Sequence, residues 1–312
     1  MWKHSLQFLS TQKLQIHTAT TIISISLILF SSAVVLVNGA GSDANWCYDS
    51  LSCGPETWGG TCLTGKLQSP INLELSSVKK VAKSVNLVLS REYGTLNSFF
   101  LQNNGFSVSL LLNPDETSPC LVRGTGFLPN EPYYFSSFHF HWGPDDYTGS
   151  EHQINGRKFP LELHMIHRQV GDPNKLAVFG ILYKISETDN PTLAPIVDNL
   201  ILVQNATDLL TLIPVPAAVK LVDFLPKKVR VLRYQGSLTT PPCTEGVVWT
   251  VFDDIQTISA RQLMKFRSLL KKDTRPIRNN FRPVVPTYTE QRKSVLYMKS
   301  IVPSLSSVKR NG

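Results

Sequence analysis

The chain has 312 residues, of which 42% are hydrophobic and 17% charged, with a formal net charge of +8. This length suits one large domain once a leader is removed, and no repeat period of 20–50 residues, low-complexity block or heptad run indicates a repeat or coiled-coil architecture. The lysines and arginines are dispersed without interleaved aromatics. They therefore argue against a nucleic-acid partner and leave only weak attraction to anionic cell surfaces.

The first feature along the chain is an N-terminal segment that predicts export. Residues 1–17 carry two lysines and no acid, Ile22–Val37 is an apolar run softened by serines, and small residues follow near Gly39 or Ala40. This is the pattern of a secretory signal peptide, to which we assign residues 1–40. An uncleaved signal anchor is the alternative, although sixteen apolar residues are short for a bilayer crossing of about twenty.

The rest of the chain predicts one mainly β domain over residues 41–300 and a short tail over 301–312 that lacks a GPI signal. Twenty prolines and eighteen glycines punctuate the apolar runs Val85–Leu89, Ser107–Leu112, Leu176–Ile185 and Gly246–Val251. The best helix candidate is Ser259–Lys272 with Ser259 as N-cap, and a second stretch runs from about 192 to 202. We expect a largely antiparallel sheet with short surface helices.

Five of the seven histidines lie between residues 139 and 167. His139 and His141 are two residues apart in a strand-like run, so their side chains share one face. A second strand-like run places Glu162 and His164 on one face in the same way. Three imidazoles from two adjacent strands fit an open zinc site that leaves the fourth position to water. A His-x-His pair alone is more often two ordinary histidines, so this site needs further support.

Support comes from residues 234–243, where Gly236, two threonines and a double proline predict a rigid, hydroxyl-bearing loop. The other short motifs follow one another in the order QSPINL at 68–73, NNG at 103–105, FHFHWG at 138–143, GSEH at 149–152 and ELHMIH at 162–167. In this order and spacing, residues 45 to 298 resemble an α-class carbonic anhydrase. The resemblance implies a twisted central sheet with a zinc ion at the bottom of a cone.

The resemblance also implies a role for each polar residue of the site. His139, His141 and His164 bind Zn²⁺, which in carbonic anhydrases lowers the pKa of bound water toward about 7 and supplies hydroxide. Glu162 orients the ring of His164 from behind. Thr239 accepts a hydrogen bond from that hydroxide and donates one to Glu151.

An apolar wall that receives carbon dioxide is the next implication. It matches Ile166, Val178, Leu238, Val247 and Trp249, with Thr240 lining the same site. Without the metal site we would assign these side chains to core packing. His152 and His167 match histidines of the family's scaffold. Anions and sulfonamide-type compounds are expected as inhibitors.

Two positions depart from the family pattern. Fast members carry a histidine after Asn-Asn-Gly that relays the proton to buffer, whereas this chain has Phe106, which cannot titrate. Many members have a glutamine that hydrogen-bonds the first ligand ring, whereas this chain has the shorter Ser137. The first departure threatens turnover and the second threatens ligand orientation, but neither removes the nucleophile.

The five cysteines agree with export. By resemblance Cys62 pairs with Cys243, and Cys47 with Cys53, as in the double-disulfide, GPI-linked vertebrate branch but without its anchor. Cys120 is left over, either as a buried thiol or as a free reactive one.

The sequence therefore predicts a secreted, zinc-dependent carbonic anhydrase that interconverts carbon dioxide and bicarbonate, limited by proton transfer. A carbonic-anhydrase-like binding protein, whose pocket serves recognition, is the alternative, and hydrolysis of esters is a possible side activity. Retention of all three ligands with Thr239 and Glu151 favours the enzyme. Asn205 heads the single Asn-x-Ser/Thr sequon and predicts a glycan.

Overall fold

The computed structural model describes residues 46–81, 87–112, 117–123, 132–207, 211–227, 230–287, 291, 295–299 and 304–306. The predicted signal peptide and most of the predicted tail lie outside these residues. Within the described ranges, no helix is long and apolar enough to cross a membrane.

Strands dominate the described chain, as the sequence predicts. They are β1 (Asn72–Leu73), β2 (Lys79–Val81), β3 (Val88–Ser90), β4 (Asn97–Asn103), β5 (Val108–Leu111), β6 (Leu121–Arg123), β7 (Tyr133–Trp142), β8 (Gln153–Ile154), β9 (Leu161–Gln169), β10 (Asp172–Ser186), β11 (Ile213–Val219), β12 (Arg230–Ser237), β13 (Glu245–Ser259), β14 (Leu296–Lys299) and β15 (Ser304–Ser306). The α-helices are α1 (Thr61–Thr64), α2 (Ala194–Val197) and α3 (Ala260–Arg267), and 3₁₀-helices span Pro55–Thr57, Arg91–Gly94, Leu200–Val203 and Leu221–Phe224.

One large sheet organises the described residues. Its main path runs β11-β4-β5-β7-β9-β10-β13-β12-β14-β2, with β6, β3 and β15 attached beside β7, while β1 pairs with β8 separately. Most neighbours are antiparallel, which confirms the predicted mainly β, largely antiparallel architecture. The central pair β10 and β13 is parallel, with Val178 opposite Trp249. Local sequence pattern does not reveal this pairing, because the two strands are joined through a long crossover.

The two faces of the sheet have different surroundings. Every residue of β9 is buried, so both of its faces are covered. Met165 and Phe179 belong to the larger apolar cluster behind the sheet. Ile166, Val178 and Trp249 belong to a second cluster in front. The alternation along β9 therefore separates a packed back core from a front face that carries the predicted site.

The helices are shorter than the sequence predicts. α3 starts as expected, because the Ser259 side chain accepts a hydrogen bond from the Gln262 N–H at 3.0 Å in a complete capping box. It ends at Arg267 rather than Lys272, since the Leu270 N–H turns to bond the carbonyl of Gln204 at 2.8 Å. The stretch near 192–202 is split between α2 and a 3₁₀ turn, because Asn199 leaves helical geometry with φ −102° and ψ 0°.

Two disulfides are present, in the pairs that the resemblance implies. Cys47–Cys53 closes a small N-terminal loop, and Cys62–Cys243 joins α1 to the loop before β13, across 181 residues of sequence. Cys120 is a free, buried cysteine. Burial raises the pKa of its thiol to about 11, so Cys120 is the buried, unreactive thiol of the two alternatives.

The long-range disulfide generates a stability prediction. Replacing Cys62 and Cys243 together with serine should lower the free energy of unfolding by roughly 2–4 kcal/mol, because a large loop of the unfolded chain is released. Denaturant unfolding of the oxidised protein and the double variant measures the difference. Ready alkylation of both thiols in non-reduced, exported protein would contradict the bridge.

His167 behind the sheet generates a pH prediction. It is fully buried, its Nδ1–H donates to the Ala177 carbonyl at 3.2 Å, and its Nε2 contacts the Tyr93 hydroxyl. Burial lowers its pKa to about 4, below the ordinary value of about 6.5. The unfolded chain therefore binds the proton first, and stability is lost as pH falls from about 6.5 to about 4.

The expected extra slope is about 1.4 kcal/mol per pH unit for one proton. Denaturant unfolding at several pH values should show this slope in the native sequence and its loss in a His167→Gln variant. Identical slopes in the two proteins would show that His167 is not held neutral.

Candidate active site

The pairing of β7 with β9 brings three imidazoles together in front of the sheet. His139 stands directly opposite His164 in the register, and His141 lies two residues further along β7. The His141 Nε2 atom lies 3.0 Å from His139 Nε2 and 3.1 Å from His164 Nδ1. All three nitrogens lie within 4.8 Å of one another, so they form a possible metal-binding group.

Hydrogen bonds on the far sides of two rings decide which nitrogens carry protons. His141 Nδ1–H donates to the Asn280 carbonyl at 2.6 Å, and His164 Nε2–H donates to Glu162 Oε1 at 2.8 Å. The inward-facing nitrogens of both rings are therefore lone pairs. Burial lowers the pKa of His141 to about 4 and also lowers that of His164, which keeps both rings neutral.

Converging lone pairs at this separation repel each other unless a cation lies between them. Tetrahedral zinc with Zn–N bonds of about 2.0–2.1 Å places ligand nitrogens on the order of 3.3 Å apart. The observed separations of 3.0 and 3.1 Å are close to that value. The donor set therefore fits a zinc ion.

His139 is held less firmly than the other two rings. No described side chain hydrogen-bonds its Nδ1, and Ser137 makes no hydrogen bond to it. The strand is irregular here, because the register with β9 shifts between Phe135 and Ser137. A positioning role for Ser137 thus stays a prediction.

Glu162 is the centre of a buried network behind the histidines. Its Oε2 accepts the backbone N–H groups of Glu151 and His152, each at 2.8 Å. Its Oε1 lies 2.7 Å from His152 Nδ1, whose other nitrogen bonds the Tyr234 hydroxyl at 2.6 Å. Burial acts to raise the pKa of Glu162, but His152 and His164 outweigh it and hold that pKa well below the usual range. Glu162 is therefore a carboxylate.

Glu151 faces the point where the imidazoles converge. Its Oε1 accepts the backbone N–H of Arg282 at 2.8 Å. Its Oε2 lies 3.5 Å from His141 Nε2 and 3.8 Å from His164 Nδ1, and forms no hydrogen bond by strict geometry with any described residue. Burial raises the pKa of Glu151 to about 7, although His164, the Arg282 N–H and the Thr239 side chain each lower it. The Thr239 side chain therefore lies near the Glu151 carboxylate, whose Oε2 atom can still accept a hydrogen bond.

A narrow pocket of about 40 Å³ opens above the histidines, with room for one or two water-sized molecules. Its lining includes Ile166, Val178, Leu238, Thr239, Thr240 and Trp249. Val247 is different: it packs in the same apolar cluster but does not line the pocket.

Aromatic side chains form the opposite side of the pocket mouth. Phe106 stacks on Trp46 with ring centroids 4.4 Å apart and planes inclined by 26°. Trp46 in turn meets Tyr48 and Trp58 edge-on, at 5.4 and 5.3 Å. Sequence reasoning missed Trp46 and Tyr48, although three aromatics beside the Cys47–Cys53 pair were a usable signal. It also missed Asn280, which bonds His141 through its backbone carbonyl, a group that every residue has.

Comparison with known proteins agrees with this geometry. A family model described as eukaryotic-type carbonic anhydrase matches residues 53–295. The chain is 34% identical to putative carbonic anhydrase 3 of Caenorhabditis elegans, over 77% of this chain and 93% of that protein. It is 31% identical to carbonic anhydrase 15 of Mus musculus (78% and 81% covered) and 31% identical to carbonic anhydrase 4 of Rattus norvegicus (85% and 89% covered). The chain therefore belongs to the eukaryotic-type, α-class carbonic anhydrase family of enzymes.

Proposed function

We propose that this chain catalyses the reversible hydration of carbon dioxide to bicarbonate and a proton, with one Zn²⁺ held by His139, His141 and His164. The observation that carries the proposal is the convergence of three imidazole nitrogens, two of them oriented as lone pairs by Asn280 and Glu162. In carbonic anhydrases a bound zinc ion lowers the pKa of its water to about 7 and so supplies a nucleophile at neutral pH.

Thr239 and Glu151 orient that nucleophile in our proposal. The Thr239 hydroxyl donates to the Glu151 carboxylate, whose Oε2 is buried and has no strict hydrogen-bond partner among the described residues. A hydroxyl that donates in one direction can accept from another, so Thr239 accepts a hydrogen bond from the attacking oxygen and thereby directs a lone pair of that oxygen to the substrate. The Arg282 N–H fixes the other carboxylate oxygen.

The apolar wall selects the substrate. Ile166, Val178 and Trp249 are each at most 3% exposed and line the pocket beside the histidines. Carbon dioxide has no charge and no hydrogen-bond donor, so it loses little hydration there. Bicarbonate is charged and is disfavoured against the same surface, which promotes its release past Thr240. Inhibition by small anions and sulfonamides follows from the same site.

An extracellular location is the second part of the proposal. Two disulfides in one chain favour an oxidising compartment, and residues 1–40 carry the pattern of a signal peptide. Asn205 of the sequon is exposed, so a glycan there meets no packing obstacle. We assign the catalytic domain to residues 41–300, with membrane tethering by an uncleaved leader as the alternative.

The metal site gives the first test. Purified protein should contain about one zinc per chain, and His139→Ala should abolish both zinc binding and hydration. Glu162→Gln should weaken zinc binding by roughly 10–100-fold, because His164 loses its charged partner. Metal analysis and carbon dioxide hydration assays measure these effects, with Asp198→Asn as an exposed control. Substoichiometric zinc after reconstitution would refute the enzyme proposal.

The proton path gives the second test. The histidines that line the pocket are His139, His141 and His164, the three candidate metal ligands. Tyr48 also lines the pocket, but burial raises its pKa well above the usual range. Phe106 stands at the mouth in a stack with Trp46 and cannot carry a proton. We therefore expect turnover in dilute buffer to be limited by proton transfer and to rise when imidazole buffers are added.

Phe106→His should raise kcat in dilute buffer, within the roughly 10²–10⁴-fold range of positioned acid–base groups, and leave kcat/KM nearly unchanged. Phe106→Ala is the matched control, since it opens the mouth without adding a titrating group. Stopped-flow hydration at several buffer concentrations measures both. An equal gain in the two variants, or fast native turnover in dilute buffer, would contradict a missing relay.

A further inference from the structure

One side of the pocket mouth is an aromatic pair that neither binds the metal nor carries a proton. Trp46 and Phe106 both line the pocket, and their rings stack with centroids 4.4 Å apart and planes inclined by 26°. Although Trp46 borders the pocket, it is only 9% exposed. An indole that is both buried and stacked cannot swing aside without losing these contacts. The pair is therefore a fixed part of the mouth.

A short disulfide-closed loop holds Trp46 in place. Cys47 is bonded to Cys53, and the Cys47 N–H also donates to the Cys53 carbonyl at 2.6 Å. The Trp58 Nε1–H donates to the same carbonyl at 3.0 Å, and the Trp58 ring meets Trp46 edge-on with centroids 5.3 Å apart. Trp46 is thus held by the loop that follows it and by a second indole.

Phe106 is held through its backbone. Its N–H donates to Asn104 Oδ1 at 2.9 Å, and its carbonyl accepts from the Asn280 side-chain amide at 3.0 Å. Gly105 before it has a φ of +85°, a conformation that residues with a side chain rarely adopt. These contacts fix the position of the Phe106 backbone, and the stack on Trp46 fixes the position of its ring.

The space enclosed behind this pair is small. The pocket has a volume of about 40 Å³, whereas an apolar cavity of roughly 150 Å³ accommodates benzene. Carbon dioxide and bicarbonate are small enough for a space of this size, but a phenyl ring is not unless Trp46 and Phe106 move apart. Parting them would break the stack and expose buried apolar surface, which opposes binding of the larger ligand.

We propose that Trp46 and Phe106 form a size filter that admits ligands as small as carbon dioxide and discriminates against ligands that carry an aromatic ring, such as aryl esters and aryl sulfonamides. The Cys47–Cys53 loop sets the width of the filter by holding Trp46. The proposal rests on the proposed zinc site and adds to it which ligands can reach the metal.

The test is a calorimetric titration of the zinc-loaded full chain with methanesulfonamide and with benzenesulfonamide. The measured quantity is the affinity for the aromatic compound divided by the affinity for the methyl compound, so that any change in the metal site itself cancels. Trp46→Ala and Phe106→Ala should each raise this ratio by roughly 2–12-fold, the equilibrium equivalent of one aromatic stacking contact.

Leu51→Ala is the matched control, because Leu51 lies in the same disulfide-closed loop but is 93% exposed. It should leave the ratio unchanged. A ratio that stays constant in Trp46→Ala and Phe106→Ala would overturn the filter. A ratio that falls would also overturn it, since the two rings would then bind the aromatic ligand rather than exclude it.

A thiol on the pocket wall gives a second measurement that does not require zinc. Val178 lines the pocket and is 3% exposed, so Val178→Cys places a reactive group behind the filter. The native chain is the blank, because its free cysteine, Cys120, is buried. Alkylation rates with iodoacetamide and with the larger N-phenylmaleimide are each expressed relative to the rate with glutathione.

In the Val178→Cys chain the larger reagent should react more slowly than the smaller one on this relative scale. Adding Phe106→Ala should raise the rate with N-phenylmaleimide and change the rate with iodoacetamide little. Equal relative rates in the Val178→Cys chain would overturn the filter. Absence of zinc and of binding by either sulfonamide would instead refute the proposed hydration of carbon dioxide, and the alkylation rates would still decide whether the filter exists.

Discussion

The register between β7 and β9 is the constraint on which the site depends. His139 faces His164 across this pair, and a slip of one residue would turn every side chain of the strand to the other face. The imidazoles would then enter the apolar core, and Met165 would face the pocket. Complete burial of β9 makes that slip costly on both faces. Packing behind the sheet thus determines the metal-binding geometry in front of it.

The pKa values of the two buried residues Glu151 and Glu162 depend on their hydrogen-bond partners and not on burial alone. Both are inaccessible to solvent, and burial acts to raise both pKa values. Glu162 has two imidazoles and two backbone N–H groups against it, so it stays ionised and fixes His164. Glu151 has fewer donors, and its pKa rises to about 7. Similar burial with unequal hydrogen bonding therefore gives these two carboxyl groups different pKa values.

Sequence reasoning located the histidines because strand periodicity of two is a local property. The short motifs from QSPINL to the Thr239 loop extended that success to the fold, which is mainly β as expected. The pairing of β10 with β13 was not predictable in this way, since it depends on a crossover of many residues. The Asn280 carbonyl that orients His141 was equally hidden, because every residue has a carbonyl. Val247 packs in the same apolar cluster as Val178 and Trp249, and its contact with substrate stays a prediction.

The mouth of the pocket has a different structural origin from its base. The base is built on central strands, whereas Trp46, Trp58, Cys62 and Cys243 form a small cluster of their own, against which Phe106 packs. The disulfide in this cluster also holds the loop of Thr239, and Gln68 bonds the Cys243 carbonyl at 3.1 Å. The side chains at the mouth are therefore packed separately from the three histidines at the base. In the proposed mechanism Phe106 limits proton exit at the mouth, while the sheet holds the three histidines in place.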